Sequence, residues 1–123
     1  MRTRREKGQQ AYALGIDAEA NVRAALRRDG WDILGHRLRT QAGEIDLAAE
    51  KDGVLAFIEV KARPQLAVAA AALSPRQRAR LLAAAEILLA ENPGWGRAGV
   101  RFDVLLVDAA GTMRRIADAF RQE

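Results

Sequence analysis

The chain has 123 residues, which fits one compact domain, because domains usually span about 100–200 residues. Half of the residues are hydrophobic and 29% are charged, which excludes a disordered, fibrous or collagen-like chain. There is no cysteine, so disulfide scaffolds, thiolate zinc sites and cysteine nucleophiles are excluded, and a reducing, cytoplasmic location is expected. The net charge of +4 comes mostly from the N-terminus, so we expect a basic tip over residues 1–8 and a single domain over residues 9–123. No apolar run approaches the roughly 20 residues of a bilayer span, so no membrane partner is expected.

Helices and strands are predicted in the order αβββαββ. A first amphipathic helix runs from about Gln9 to Arg28, where Asp29–Gly30 supplies a stop. Ser74, Pro75 and Gln77 carry the signature of a second helix start, with a capping serine, a proline at the first helical position and a glutamine three residues after the cap. The predicted strands are Trp31–Arg39, Gly43–Glu50, Val54–Lys61, Val100–Asp108 and Met113–Ala117.

Two carboxylates are predicted to face each other across a hairpin. If Asp52–Gly53 forms a two-residue turn, the numbers of paired residues sum to 105, and Asp46 lies opposite Glu59. Their Cβ atoms are then about 4.5–5.5 Å apart, a distance at which like charges repel. The same register pairs two apolar couples on the other face of the sheet: Ile45 with Val60 and Leu47 with Ile58.

Paired carboxylates of this kind suit Mg²⁺, which takes one or two carboxylates, several waters and substrate phosphate oxygens. Lys61 lies on the same face as Glu59 and could polarise an attacking water or a developing phosphate charge. The chemistry indicated is phosphodiester hydrolysis. The register also places Glu44 opposite Lys61, so a plain cross-strand ion pair is the alternative, and a bulge would change the pairing altogether.

The arrangement of motifs resembles a known nuclease superfamily. Glu19 lies at the flank of the first helix's apolar stripe, where it could reach a sheet edge or simply be solvated. A helix with a glutamate, then a meander with an aspartate and a Glu-x-Lys tripeptide, resembles the PD-(D/E)XK nucleases. The segments that more closely resemble the YraN-type family of small bacterial proteins are GEIDL (Gly43–Leu47), FIEVKAR (Phe57–Arg63) and RFDV (Arg101–Val104).

The resemblance implies an α/β fold with a restriction-endonuclease-like core, in which helices flank a mixed central sheet, and an activity like that of archaeal Holliday-junction resolvases. It implies Asp46, Glu59 and the carbonyl of Val60 as metal ligands, Lys61 as the catalytic lysine and Glu19 as an auxiliary acid. The implied cofactor is Mg²⁺, with Mn²⁺ as a substitute, and a homodimer is expected by analogy. Relatives tend to carry Asn and Lys where this chain has Arg37 and Gln77, which bears on substrate contacts.

Nucleic acid, DNA rather than RNA, is the expected partner. The residues predicted to contact it are Arg63, Arg76, Gln77 and Arg80, three of them at a helix N-terminus, which favours anions. For Arg78 the sequence does not decide between solubility and binding. The leading hypothesis is a Mg²⁺-dependent endonuclease acting on branched or otherwise structured DNA. The alternatives are a nucleic-acid-binding module without turnover and a protein-interaction domain whose carboxylates are merely ion-paired.

Four other residues are given structural roles. Trp31 and Trp95 follow helix stops and are expected in the core, and Arg101 and Asp103 are expected to form an ion pair or a hydrogen bond. His36 is the only histidine, so a zinc site or a serine triad is not expected.

Overall fold

The computed structural model describes residues 18–62 and 74–116. Helix α1 covers residues 18–28 of the described part and is followed by a three-stranded meander, a second helix and two further strands. The remaining elements are β1 (Asp32–Thr40), β2 (Gly43–Lys51), β3 (Val54–Ala62), α2 (Pro75–Glu91), β4 (Gly99–Val107) and β5 (Met113–Ile116). The order αβββαββ is therefore confirmed. The predicted start of α1, the basic tip and residues 63–73, which connect β3 to α2, lie outside the described residues.

The five strands form one mixed sheet in the order β1-β2-β3-β4-β5. Consecutive strands are antiparallel except β3 and β4, which are parallel. A parallel pair needs a long crossover, and α2 lies in that connection. The predicted fold class, an α/β fold with a mixed central sheet and flanking helices, is confirmed.

The two helices cover opposite faces of the sheet. Successive residues of a strand point to opposite faces, and β3 shows this with Ile58 in the α1 core and Phe57 in the α2 core. The α1 core contains Val22 and Leu26 of the helix, and the α2 core contains its Leu81, Ala84, Ala85 and Leu88. The sheet is therefore buried on both sides. Neither helix of the described ranges is long and apolar enough to cross a membrane.

Local signals set the end of α1 and the start of α2, as predicted. At the end of α1, the Trp31 N–H donates to the Leu26 carbonyl at 3.0 Å and the Gly30 N–H to the Arg27 carbonyl at 3.1 Å, the two bonds of a Schellman motif. At the start of α2, Ser74 and Gln77 form the predicted capping box, with bonds of 3.2 and 2.9 Å.

The β2–β3 hairpin has the predicted turn and register over half its length. Asp52 and Gly53 both have positive φ, 53° and 79°, as a type I′ turn requires. The ladder runs from Lys51 and Val54 to Leu47 and Ile58, so paired numbers sum to 105 as predicted. Beyond that pair the prediction is wrong, because the ladder ends before Ile45 and Val60. Ile45 joins the α2 core, whereas Leu47 and Val60 belong to the α1 core.

The ladder between β2 and β3 ends early because a side chain takes the place of a backbone hydrogen-bond acceptor. The Val60 N–H donates to Oδ2 of Asp46 at 2.8 Å instead of to a carbonyl of β2. β3 nevertheless continues to pair with β4 as far as Ala62 and Val107. β2 and β3 therefore separate from each other at Asp46 and Glu59, the predicted carboxylate pair. This opening between the two strands is the strand fork.

Candidate active site at the strand fork

Asp46 and Glu59 interlock at the fork through each other's main chain. While Asp46 accepts from the Val60 N–H, the Asp46 N–H donates to Oε1 of Glu59 at 3.3 Å. Each carboxylate is thereby held by a backbone amide of the opposite strand. The structure thus brings the two predicted acids together, although not as a regular cross-strand pair, and the main chain of Val60 lies beside them.

Burial makes both carboxylates hard to ionise. Burial raises the pKa of Glu59 to about 7, and the neighbouring charge of Asp46 contributes in the same direction. Burial also raises the pKa of Asp46 above its ordinary value, against the lowering effect of the hydrogen bond from Val60. Because repulsion and desolvation both oppose ionisation, the pair gains stability from any cation that binds between the two groups.

Lys61 supplies part of that positive charge. Its Nζ lies 3.9 Å from Oε2 of Glu59, and the two side chains are only 15% and 14% exposed. The alternative partner, Glu44, instead lies 3.8 Å from Nε of Arg39 on β1, in an exposed pair. One ammonium group beside two carboxylates leaves the fork net negative when both acids are ionised.

Glu19 approaches the fork from α1. Its carboxylate lies 3.3 Å from Nε of Arg37, and its charge raises the pKa of Asp46. Arg37 adopts a left-handed backbone conformation, with φ of 49°, on the edge strand β1. Of the two alternatives left open for Glu19, the structure therefore shows the reach to a sheet edge, through Arg37, a partner that was not predicted. A non-glycine residue in this conformation gives no clear signal in the sequence.

The donors at the fork are two carboxylates, hard oxygen ligands of the kind that Mg²⁺ takes with water and substrate oxygens. Within residues 18–62 and 74–116, no three aspartate, glutamate, histidine or cysteine side chains are grouped so as to hold a metal ion. Among the described residues, the remaining ligands of an ion here would therefore come from the main chain, with water or substrate completing the set. Two carboxylates completed by main-chain, water or substrate oxygens fit the ligand preference of Mg²⁺.

The predicted nucleic-acid contacts are distributed around the start of α2. Arg76 and Arg80 are exposed, and the charge of Arg80 lowers the pKa of Glu59. Gln77 is half-buried, and its side-chain oxygen accepts from the Ser74 N–H in the capping box. That bond gives Gln77 a structural role at the helix start. Arg63 lies outside the described residues.

A buried ion cluster lies away from the carboxylate pair, on the α1 side. Asp103 is fully buried and accepts from Nε of Arg101 at 3.0 Å, which confirms the expected ion pair. Arg115 of β5 also donates to this carboxylate, and both guanidinium groups lie over the ring of Trp31, at 5.9 and 4.8 Å. Trp31 is therefore a core residue, as expected. The contact of Arg115 with Asp103 could not be predicted from the sequence, because it depends on how β5 pairs with β4.

Trp95 also packs in the core, against the α2 cluster, as expected.

Comparison with known proteins identifies relatives that cover most of the chain. A family model described as uncharacterised protein family UPF0102 matches residues 18–107. A UPF0102 protein of Granulibacter bethesdensis is 59% identical over 115 residues, which are 94% of this chain and 73% of that protein. One from Azorhizobium caulinodans is 44% identical over 119 residues, 97% of this chain and 91% of that protein. One from Acidiphilium cryptum is 48% identical over 109 residues, 89% of this chain and 84% of that protein.

Proposed function

We infer the function of this protein from the geometry of the strand fork. The chain belongs to the uncharacterised protein family UPF0102, the YraN-type family that its motifs resemble. We propose that the protein is a metal-dependent endonuclease that hydrolyses phosphodiester bonds of DNA. The observation that carries the proposal is the buried Asp46–Glu59 pair with Lys61 beside it, because two close carboxylates repel each other and one ammonium group leaves them net negative, which favours a bound cation.

Mg²⁺, with Mn²⁺ as a substitute, is the proposed cofactor, and Asp46, Glu59 and the carbonyl of Val60 are its proposed ligands. When bound, the ion supplies a more acidic water and neutralises charge on the phosphate. The hydrogen bonds at 2.8 and 3.3 Å hold the two carboxylates in place before any ligand arrives, so little ordering is left to the binding step.

Lys61 and Glu19 are proposed to act on the reacting groups. Lys61 is poorly exposed, so its charge is weakly screened by solvent, and it would stabilise the negative charge that develops on the phosphate. Glu19 is proposed as an auxiliary acid at the Asp46 side of the fork. Its ion pair with Arg37 orients the carboxylate while leaving the side chain 20% exposed.

Nucleic acid is the proposed partner, with branched or otherwise structured DNA as substrate, as the resemblance to resolvase-like nucleases implies. Arg63, Arg76 and Arg80 are the proposed phosphate contacts, and Gln77 is retained as a contact through its amide nitrogen. A homodimer is proposed by the same analogy, because cutting two strands in concert calls for two sites.

A second candidate is a nucleic-acid-binding module that does not cut. It is favoured by the lack of a three-side-chain metal group in the described ranges and by the engagement of Gln77 in the helix cap. This candidate predicts that Asp46→Ala leaves nucleic-acid binding unchanged.

The deciding experiment is cleavage of a labelled panel of DNA by the purified protein with Mg²⁺ or Mn²⁺. The panel contains a duplex, a single strand, a flap, a fork and a four-way junction. Glu59→Ala and Lys61→Ala are tested in parallel, with Glu44→Gln as a control for an exposed carboxylate on the neighbouring strand. Cutting that is lost in the two site variants and kept in the control supports the endonuclease. Binding without cutting, equal in all variants, supports the second candidate.

A further inference from the structure

Gly43, the first residue of the GEID motif, lies at the start of β2 in a conformation that side chains rarely adopt, with φ of 143°. The turn before it is fixed by Thr40, whose hydroxyl oxygen accepts from the N–H groups of Ala42 and Gly43, each at 3.1 Å. A Cβ atom on Gly43 would lie 2.8 Å from Cγ and 2.9 Å from Cδ of Arg80. The glycine therefore leaves room for the stem of an arginine that comes from α2.

The aliphatic part of the Arg80 side chain packs against Gly43, and its guanidinium group is left to bind other groups. Arg80 lies in the second turn of α2, is exposed, and forms no ion pair with a carboxylate in the described ranges. Four other arginines are each paired with a carboxylate: Arg37, Arg39, Arg101 and Arg115. Arg80 thus differs from them in being positioned by packing against backbone instead of by an acid.

Arg80 lies beside the fork. Gly43 is three residues before Asp46 on β2, and Leu81, the residue after Arg80 on α2, lines a small cavity together with Ile45 and Glu59. Arg78 on the same helix is also exposed, but two residues correspond to about 200° around a helix, so it points away from Arg80. Arg78 and Arg80 are therefore both exposed arginines of α2, but they point to different sides of the helix.

We propose that Arg80, seated on Gly43, binds the phosphate that lies against the Asp46–Glu59 pair. This assignment rests on the proposed function and deepens it, because it singles out, among the proposed phosphate contacts, the one that brings a phosphate anion to the net negative site and the glycine that positions it. A guanidinium group binds two phosphate oxygens through parallel N–H bonds, which both neutralises and orients the group. Because its stem is already ordered, Arg80 loses less side-chain freedom on binding than a fully flexible arginine.

The test compares Arg80→Ala with Arg78→Ala as a matched control, and with Gly43→Ala, which displaces the stem and keeps the charge. On the panel substrate that the wild type cuts fastest, Arg80→Ala is expected to lower kcat at least tenfold, with the Mn²⁺ affinity changed less than threefold. Arg78→Ala is expected to stay within twofold of the wild type, and Gly43→Ala to fall between them. Equal small effects of Arg80→Ala and Arg78→Ala would overturn the proposal. A folding check by circular dichroism accompanies each variant.

A second readout keeps the proposal separate from the nuclease activity. With ¹⁵N-labelled protein, the Nε–H signal of each arginine is followed while a 12-nucleotide single strand is added in the presence of Mg²⁺. A saturable shift of the Arg80 signal that exceeds the Arg78 shift and is reduced in Gly43→Ala supports the contact even if the wild type cuts no substrate. An Arg80 signal that does not move would refute it even if the wild type cuts.

Discussion

Replacing Glu59 by glutamine tests the electrostatic account of the fork most directly. Gln has nearly the same shape and keeps an oxygen that can accept from the Asp46 N–H, but it carries no charge. The pKa of Glu59 is raised from its ordinary 4.5 to about 7. The native state therefore binds more protons than the unfolded state between these values, and stability must fall as the pH rises through this window.

The expected magnitude follows from the same numbers. One pKa unit corresponds to about 1.4 kcal/mol, so ionised Glu59 costs the metal-free native state about 3 kcal/mol above pH 7. The side chain is only 14% exposed, so solvent screening removes little of this. Glu59→Gln should therefore stabilise the metal-free protein by about that amount at pH 8 and change its stability little at pH 4.5.

The assay is urea denaturation in the presence of EDTA, at half-unit steps from pH 4.5 to pH 8. Glu44→Gln is the control, because it removes an exposed carboxylate from the same hairpin. The wild type and the control should lose stability with rising pH, and Glu59→Gln should lose much less, with a remainder from Asp46. Parallel curves for the wild type and Glu59→Gln would refute the reasoning.

Three further outcomes are expected. Mg²⁺ binding below pH 7 should release a proton from Glu59, so the calorimetric heat should depend on the ionisation enthalpy of the buffer; no buffer dependence would contradict the raised pKa. Asp103→Asn should lower the unfolding free energy by about 3 kcal/mol, because two arginines lose the charge of their buried partner, and a smaller loss than for Glu44→Gln would contradict this. Gly53→Ala should cost about 1–2 kcal/mol in thermal denaturation, since φ is 79° and the new Cβ would lie 3.0 Å from Cβ of Ala98; an unchanged Tm would contradict the strain.

Elements with local signals were predicted well. The Asp52–Gly53 turn sets the register of the hairpin, and the capping box sets the start of α2, because each depends on a few adjacent residues. The meeting of Asp46 and Glu59 could be predicted for the same reason. The turn brings the two strands together at these residues, although the regular pairing predicted for them ends at Leu47 and Ile58.

The fork could not be predicted from the hairpin alone. Regular alternation implied that β2 and β3 stay paired past Asp46, but its carboxylate replaces the backbone acceptor of Val60 while β4 holds β3 in the sheet. That outcome depends on a third strand distant in sequence. The contact between Glu19 and Arg37 depends likewise on the packing of α1 against β1, and on a left-handed residue that few sequence rules anticipate.

The irregular shape of β1 has a consequence for how copies of this protein meet. β1 is an outer strand of the described sheet, with a register shift between Ile33 and Gly35 and a left-handed residue at Arg37. A twisted, interrupted edge that also carries the charge of Arg39 is a poor template for another strand, and such features protect proteins from edge-to-edge aggregation. This edge is thereby guarded against fibril-like growth, in which copies of the protein add to one another strand by strand.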